Sequence, residues 1–230
     1  MARRHLLNMR VLIFGASGMV GQGILLECLR AVDVAEVVSV GRSPLPQKHP
    51  KLKEILLPNL FDIATVTDDL SNFDAVFFPL GVSSFRMSEA DYRYITYDLA
   101  MKIASLVARQ SPQATFCYVS GRGTDINSRT MWSRVKGELE EALLRLPFAD
   151  AFMFRPGAIR PMDGIKTKTP LYNAIYLLFS PIVPLLARLF PAQITTTREV
   201  GKAMLAVARK GYPSPILEPI DIRRAAGVSI

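Results

Sequence analysis

Apolar and polar positions along this 230-residue chain follow two alternating patterns. Short continuous apolar runs, of the kind buried on both faces of a parallel sheet, give way to longer stretches with apolar residues at helical spacing. "RVLIFGA" (10–16) reads as a first strand and "GMVGQGILLECLRA" (18–31) as a helix. "EVVSVGR" (36–42) is the second strand, "LKEILLP" (52–58) a candidate third and "FDAVFFPLG" (73–81) the fourth. The spacing in "ADYRYITYDLAMKIASLVARQ" (90–110) predicts a helix, stopped at Ser111-Pro112 because a residue before proline avoids the helical region. "ATFCYVSG" (114–121) is the fifth strand, "SRTMWSRVKGELEEAL" (128–143) an amphipathic helix and "DAFMFRPGAI" (150–159) the sixth strand. The tail holds an apolar stretch (171–190), a helix "TREVGKAMLAVARKG" (197–211) and an extended piece near "PILEPIDIR" (215–223). Strands alternating with helices predict an α/β doubly wound parallel sheet in three αβα layers, with a small C-terminal helical cap. No linker divides the chain. Residues 1–230 are therefore expected to form one domain, with 160–196 as a substrate-side cap or lid.

Composition narrows the class. Half the residues are apolar and 21% are charged, a globular balance. The two cysteines, Cys28 and Cys117, sit in apolar patterns and are expected as buried thiols. "MARRHLLNMR" is positively charged but has no apolar core of a secretory signal, so a cytoplasmic location is the default expectation. The net charge of +8 suits a phosphorylated ligand. The basic residues are thinly spread and lack any zinc-finger or RNA-binding signature, so nucleic acid is not an expected partner. His5 and His49 lack metal-ligand spacing; both are expected at the surface, and no metal is expected.

The first loop carries the chemistry. "VLIFGASGMVGQG" places Gly15, Gly18 and Gly21 between a strand and the start of a helix, the context a dinucleotide fingerprint requires. Gly15 serves the tight turn, Gly18 admits the pyrophosphate and Gly21 lets the helix lie close to the sheet. The helix start at Met19 and Val20 turns free N–H groups and a positive dipole toward phosphate, and Ser17 adds a hydroxyl. The sheet is thus Rossmann-like. The second strand ends in Gly41-Arg42-Ser43, where an acidic residue would grip the ribose of NAD. A guanidinium there suits a 2′-phosphate, so NADP is preferred over NAD. Gly81 and Val82, after the fourth strand, are placed at the adenosine ribose, and Asn59, after the third, at adenine.

These motifs resemble the short-chain dehydrogenase/reductase superfamily over roughly residues 10 to 222. The G-x-x-G-x-x-G spacing points to its extended or atypical branch, near small Tat-interacting-protein-like and nitrogen-metabolite-repressor-like members. The resemblance places Ser120 of "YVSGRG" at the catalytic serine and Pro156-Gly157 of "FRPGAI" beside nicotinamide. "ITTTREVGKAML" resembles the segment leading into the last helix. The family's Tyr-x-x-x-Lys reads here Trp132-Ser133-Arg134-Val135-Lys136, twelve residues after Ser120. The register fits and the tyrosine is missing.

Indole N–H donates a hydrogen bond but does not titrate usefully. General acid–base help is worth about 10²–10⁴ in rate, so cofactor binding through Lys136 and the glycine loop is expected to survive better than turnover. Tyr92, Tyr94 and Tyr97 are substitute donors by position, although packing is their commoner role. A bland reading pairs Lys136 with Glu140. Arg122, Arg155 and Arg160 can meet an anionic substrate or form surface ion pairs.

The stretch "LYNAIYLLFSPIVPLLARLF" approaches the length of a membrane span but is broken by Pro181 and Pro184. It is read first as two short helices that cap the cleft or bury a homodimer contact, and otherwise as an interfacial segment touching a bilayer. Three functions stay open: an NADP-dependent oxidoreductase or epimerase on a small, apolar substrate, a non-catalytic NADP-sensing regulator, and a peripheral membrane interaction protein.

Overall fold

The structure is a computed structural model that describes residues 8–165 and 194–228. A seven-stranded sheet runs through it. Its strands are β1 (Met9–Phe14), β2 (Val34–Gly41), β3 (Leu52–Leu56), β4 (Ala75–Phe78), β5 (Thr115–Val119), β6 (Asp150–Phe154) and β9 (Ile216–Leu217). The order is β3-β2-β1-β4-β5-β6-β9, and every pairing is parallel. β7 (Ala158–Arg160) and β8 (Ile194–Thr196) form a separate two-stranded parallel pair. The chain order reverses between β1 and β4, which opens a crevice at the carboxyl ends of those strands.

The helices are α1 (Met19–Arg30), α2 (Glu89–Arg93), α3 (Leu99–Gln110), α4 (Met131–Leu144), α5 (Thr197–Lys210) and α6 (Pro219–Ala225). Side-chain alternation sends neighbouring strand residues to opposite faces. Val11, Ile13, Phe77 and Phe154 pack with Ile24 and Leu25 of α1 and Val200 and Met204 of α5. Leu12, Phe14, Val76, Phe78 and Tyr118 pack with Ile103 and Val107 of α3 and Leu139 and Leu143 of α4. This is the doubly wound Rossmann-like sheet that the patterning predicts.

Three expectations are refined. The helix expected over 90–110 is interrupted by a π-helical turn at Tyr94–Asp98, between α2 and α3. The sixth strand, expected to run to 159, ends at Phe154, and β7 begins at Ala158; Pro156 between them has no N–H to donate to a ladder. The extended piece near 215–223 is strand only at Ile216–Leu217. Pro219 then opens α6 at its first turn, and a capping box between Glu218 and Asp221 fixes the start. The expected apolar cap segment, 171–190, lies outside the described residues. Among the described residues no helix is long and apolar enough to cross a membrane.

Candidate functional site

The glycine loop joins β1 to α1 at the crevice. Gly15 has φ +91°, and a Cβ there would meet the Leu80 backbone at 2.9 Å. A Cβ on Gly21 would lie 2.0 Å from the Gly15 carbonyl oxygen, so only glycine lets α1 start this close to the strand. Gly18 N–H donates to Gly15 O at 3.0 Å and closes the turn. No side chain caps α1; Gln22 N–H reaches back to Gly18 O, which leaves the amides of Met19, Val20 and Gly21 without helical partners. Ser17 is half-buried beside them, and its carbonyl accepts from Gln22 Nε2 at 3.2 Å. The loop is therefore a cradle of free N–H groups at a helix start, which fits the phosphates of a dinucleotide.

Neighbouring strand ends complete the rim. Arg42 and Ser43 are exposed directly after β2. Gly81 and Val82 are exposed after β4. Asn59 follows β3, and its side chain accepts from Phe61 N–H at 3.1 Å to cap the 3₁₀ segment Leu60–Leu70.

A cleft of about 490 Å³ lies further along the same edge. Gly121 and Arg122 after β5, Trp132 of α4, Pro156 and Gly157 after β6, Ala158 of β7 and Ile194 of β8 line it. Trp132 forms one wall of this cleft. Lys136, one turn along α4, is half-buried and donates from Nζ to Ser120 O at 2.5 Å. Burial pushes its ammonium down to about 8, against the raising influence of the Glu140 charge.

Lys136 and Glu140 do not form the ion pair considered from their spacing. Glu140 is buried and faces elsewhere: Ser120 Oγ donates to it at 2.5 Å, and Arg155 donates from Nε at 3.1 Å and Nη2 at 2.5 Å. The Ser120 hydroxyl also lies 3.2 Å from Phe154 O. It is turned into the interior and occupied, and Gly121 supplies the cleft wall instead. Sequence reasoning missed this role of Glu140, and also β7 and β8, whose Ala158 and Ile194 reach the cleft from 36 residues apart.

The tyrosines of the α2–α3 region have structural partners. Tyr92 is buried, Tyr94 stacks on Phe61 with centroids 4.5 Å apart, and Tyr97 lies under the Arg93 guanidinium at 5.0 Å. Cys28 and Cys117 are buried free thiols, held protonated by desolvation. His49, expected as a plain surface residue, is half-buried and accepts at Nδ1 from Lys51 N–H at 3.2 Å. Among the described residues no group of side chains is placed to hold a metal ion.

No protein-family model matches the chain. It is similar to the protein fmp52-2, mitochondrial, of Aspergillus terreus, 29% identical over 167 residues that span 71% of this chain and 72% of that one. HTATIP2 of Rattus norvegicus is 28% identical over 155 residues, 66% of this chain and 63% of that protein. Among solved structures, a short chain dehydrogenase family protein from Francisella tularensis superposes with a TM-score of 0.69 at 17% identity, covering 95% of this chain and 99% of that one. The Bordetella bronchiseptica enzyme WbmH, solved with NAD⁺, gives 0.64 at 13% identity over 88% and 72%. These relatives overturn the expected cytoplasmic location, because the fungal ones are named mitochondrial proteins. A missing secretory signal does not separate the two compartments, since mitochondrial leaders are arginine-rich and acid-poor rather than secretory in pattern.

Proposed function

We propose that this chain, which has the short-chain dehydrogenase/reductase fold, binds NADP in preference to NAD and acts as an oxidoreductase or epimerase on a small, largely apolar substrate. The observation that supports the reading most is that the phosphate cradle at Gly15–Gly21, after β1, and the cleft walled by Trp132, after β5 and β6, lie at the carboxyl edge of one parallel sheet. Arg42 and Ser43, exposed beyond β2 where NAD-binding chains carry an acid, support the preference for a 2′-phosphate. Gly81 and Val82 cover the adenosine ribose and Asn59 edges the adenine. Lys136 holds the nicotinamide ribose, with Pro156-Gly157 beside the ring.

When bound, the reduced nicotinamide supplies a hydride to an electrophilic substrate carbon. The chain's own residues orient the acceptor and manage the proton. Trp132 Nε1–H donates a hydrogen bond to the substrate oxygen and keeps its proton. The group left to deliver one is the Lys136 ammonium, a single helical turn away and weakened by burial. A lysine held to Ser120 O delivers it less directly than a phenol facing the cleft, and turnover is accordingly slow.

A second reading, an NADP-binding sensor without turnover, is favoured by one specific feature. The Ser120 hydroxyl is occupied by Glu140 rather than offered to the cleft.

Trp132 is the sole tryptophan, so NADPH titration tests the placement by quenching or energy transfer to the reduced ring. Unchanged emission at saturating NADPH, together with no calorimetric heat from either NADPH or NADH, rules the proposal out. Trp132→Tyr separates the two readings. An enzyme lacking only its phenol gains about 10²-fold or more in carbonyl reduction; a sensor gains nothing while still binding NADPH.

A further inference from the structure

Three arginines stand near the cleft, and the structure gives each a different fate. Arg155 is bound by Glu140 and also reaches Glu218 at 3.5 Å. Arg160 points its Nη2 at the Met162 sulfur, 3.2 Å away. Arg122 is exposed, lines the cleft, and its guanidinium has no partner among the described residues. By contrast, nine other arginines, from Arg10 to Arg224, are each paired with a carboxylate.

The backbone beneath Arg122 is fixed. Its N–H donates to Pro156 O at 3.0 Å, which ties the loop after β5 to the loop after β6. Thr124 N–H and Oγ1 both donate to Gly121 O, at 3.2 and 2.7 Å, and close a turn with Arg122 and Gly123 at its corners. Gly123 has φ +84°, which the second corner of such a turn demands. Ser133 Oγ on α4 holds Gly123 O at 2.6 Å. Arg122 is thus presented from a clamped turn rather than a loose loop. The remaining walls, Trp132, Pro156, Ala158 and Ile194, offer apolar surface.

We propose that Arg122 is the anion-binding residue of this cleft, and that the substrate is an apolar molecule ending in a carboxylate. The inference rests on the oxidoreductase reading and names its substrate class. A carboxylate pairs bidentately with a guanidinium, and one unpartnered arginine balances one charge rather than a phosphate dianion. The apolar body of the substrate lies against Trp132 and Ile194 while its acid end is held at the rim.

The test uses an isosteric pair, hydrocinnamate and hydrocinnamyl alcohol, read through Trp132 emission in the full chain with NADP⁺ present. Hydrocinnamate binds at least about tenfold more tightly than the alcohol, and the gap narrows at high salt. R122Q removes the gap and leaves the alcohol's affinity unchanged; R122K keeps part of it. Equal binding of acid and alcohol, no response to either, or a gap that persists in R122Q would overturn the proposal. Calorimetry with NADPH on the same proteins separates the two ideas. NADPH heat without a preference for the acid removes Arg122's role alone. Preference for the acid without NADPH heat removes the cofactor reading and leaves the anion site.

Discussion

Single side chains set how this site responds to pH and to cofactor charge. Lys136 has an ammonium depressed by burial to about 8. Below that value it is charged, as the proposed grip on the ribose requires; above it the charge is lost. NADPH affinity is therefore expected to fall as pH rises through about 8. In Lys136→Met the slope disappears, which isothermal titration at several pH values checks. Folding stability carries the opposite sign. The unfolded lysine keeps its proton up to its ordinary value of 10.5, so the cost of burying the charge is relieved between about 8 and that value. Gly21→Ala puts a methyl into the Gly15 carbonyl, and dinucleotide binding should be lost beyond detection by calorimetry. Arg42→Glu should reverse the preference between NADPH and NADH, by about tenfold or more from the lost charge-assisted contact. The Trp132–Lys136 register and the glycine loop were readable because helix period and loop spacing are local. The engagement of Ser120 was not. Its partner Glu140 lies 20 residues away and is itself fixed by Arg155 from another strand end.

Elements are keyed to one another by that same triad. Ser120 after β5, Glu140 of α4 and Arg155 after β6 close a buried junction in which Glu140 and Arg155 are only 3% and 18% exposed at their side chains. Removing the acid alone strands a guanidinium. Glu140→Leu is expected to cost roughly 3 kcal/mol or more, and pairing it with Arg155→Met should recover much of the loss, a comparison that denaturant unfolding measures. Element positions were readable to within a few residues wherever an apolar run met a glycine or proline. The π-helical turn at Tyr94–Asp98 left no sequence mark, because its apolar spacing matches that of an ordinary helix. The start of α6 did leave one. Glu218-Pro219 followed by Asp221 is a helix opening, and the β-branched residues around it masked the signal.

At the scale of the whole molecule, the parallel, doubly wound sheet was legible in the alternation of strand and helix, since parallel strands need crossovers, whereas the strand order was not. Of the expected lid, 160–196, the part from 166 to 193 lies outside the described residues, and Ile194 at its far end lines the cleft. Ligand linkage offers a global test. NADPH at a hundred times its Kd adds about 2.7 kcal/mol, which raises the Tm by roughly 5–10 °C in a chain of this size. An unchanged melting curve at that concentration speaks against cofactor binding. The packing of α1 carries a further consequence. A Cβ on Gly23 would meet the Thr197 side chain at 2.6 Å, so the helix that follows the phosphate loop is seated on α5, which arrives 174 residues later. Gly23→Ala should therefore lower the Tm although it touches no ligand. During synthesis the loop emerges from the ribosome long before its support. A nascent chain stopped short of α5 carries the complete fingerprint with its supporting surface missing, and it should pass to chaperones without cofactor until the last helices have left the exit tunnel.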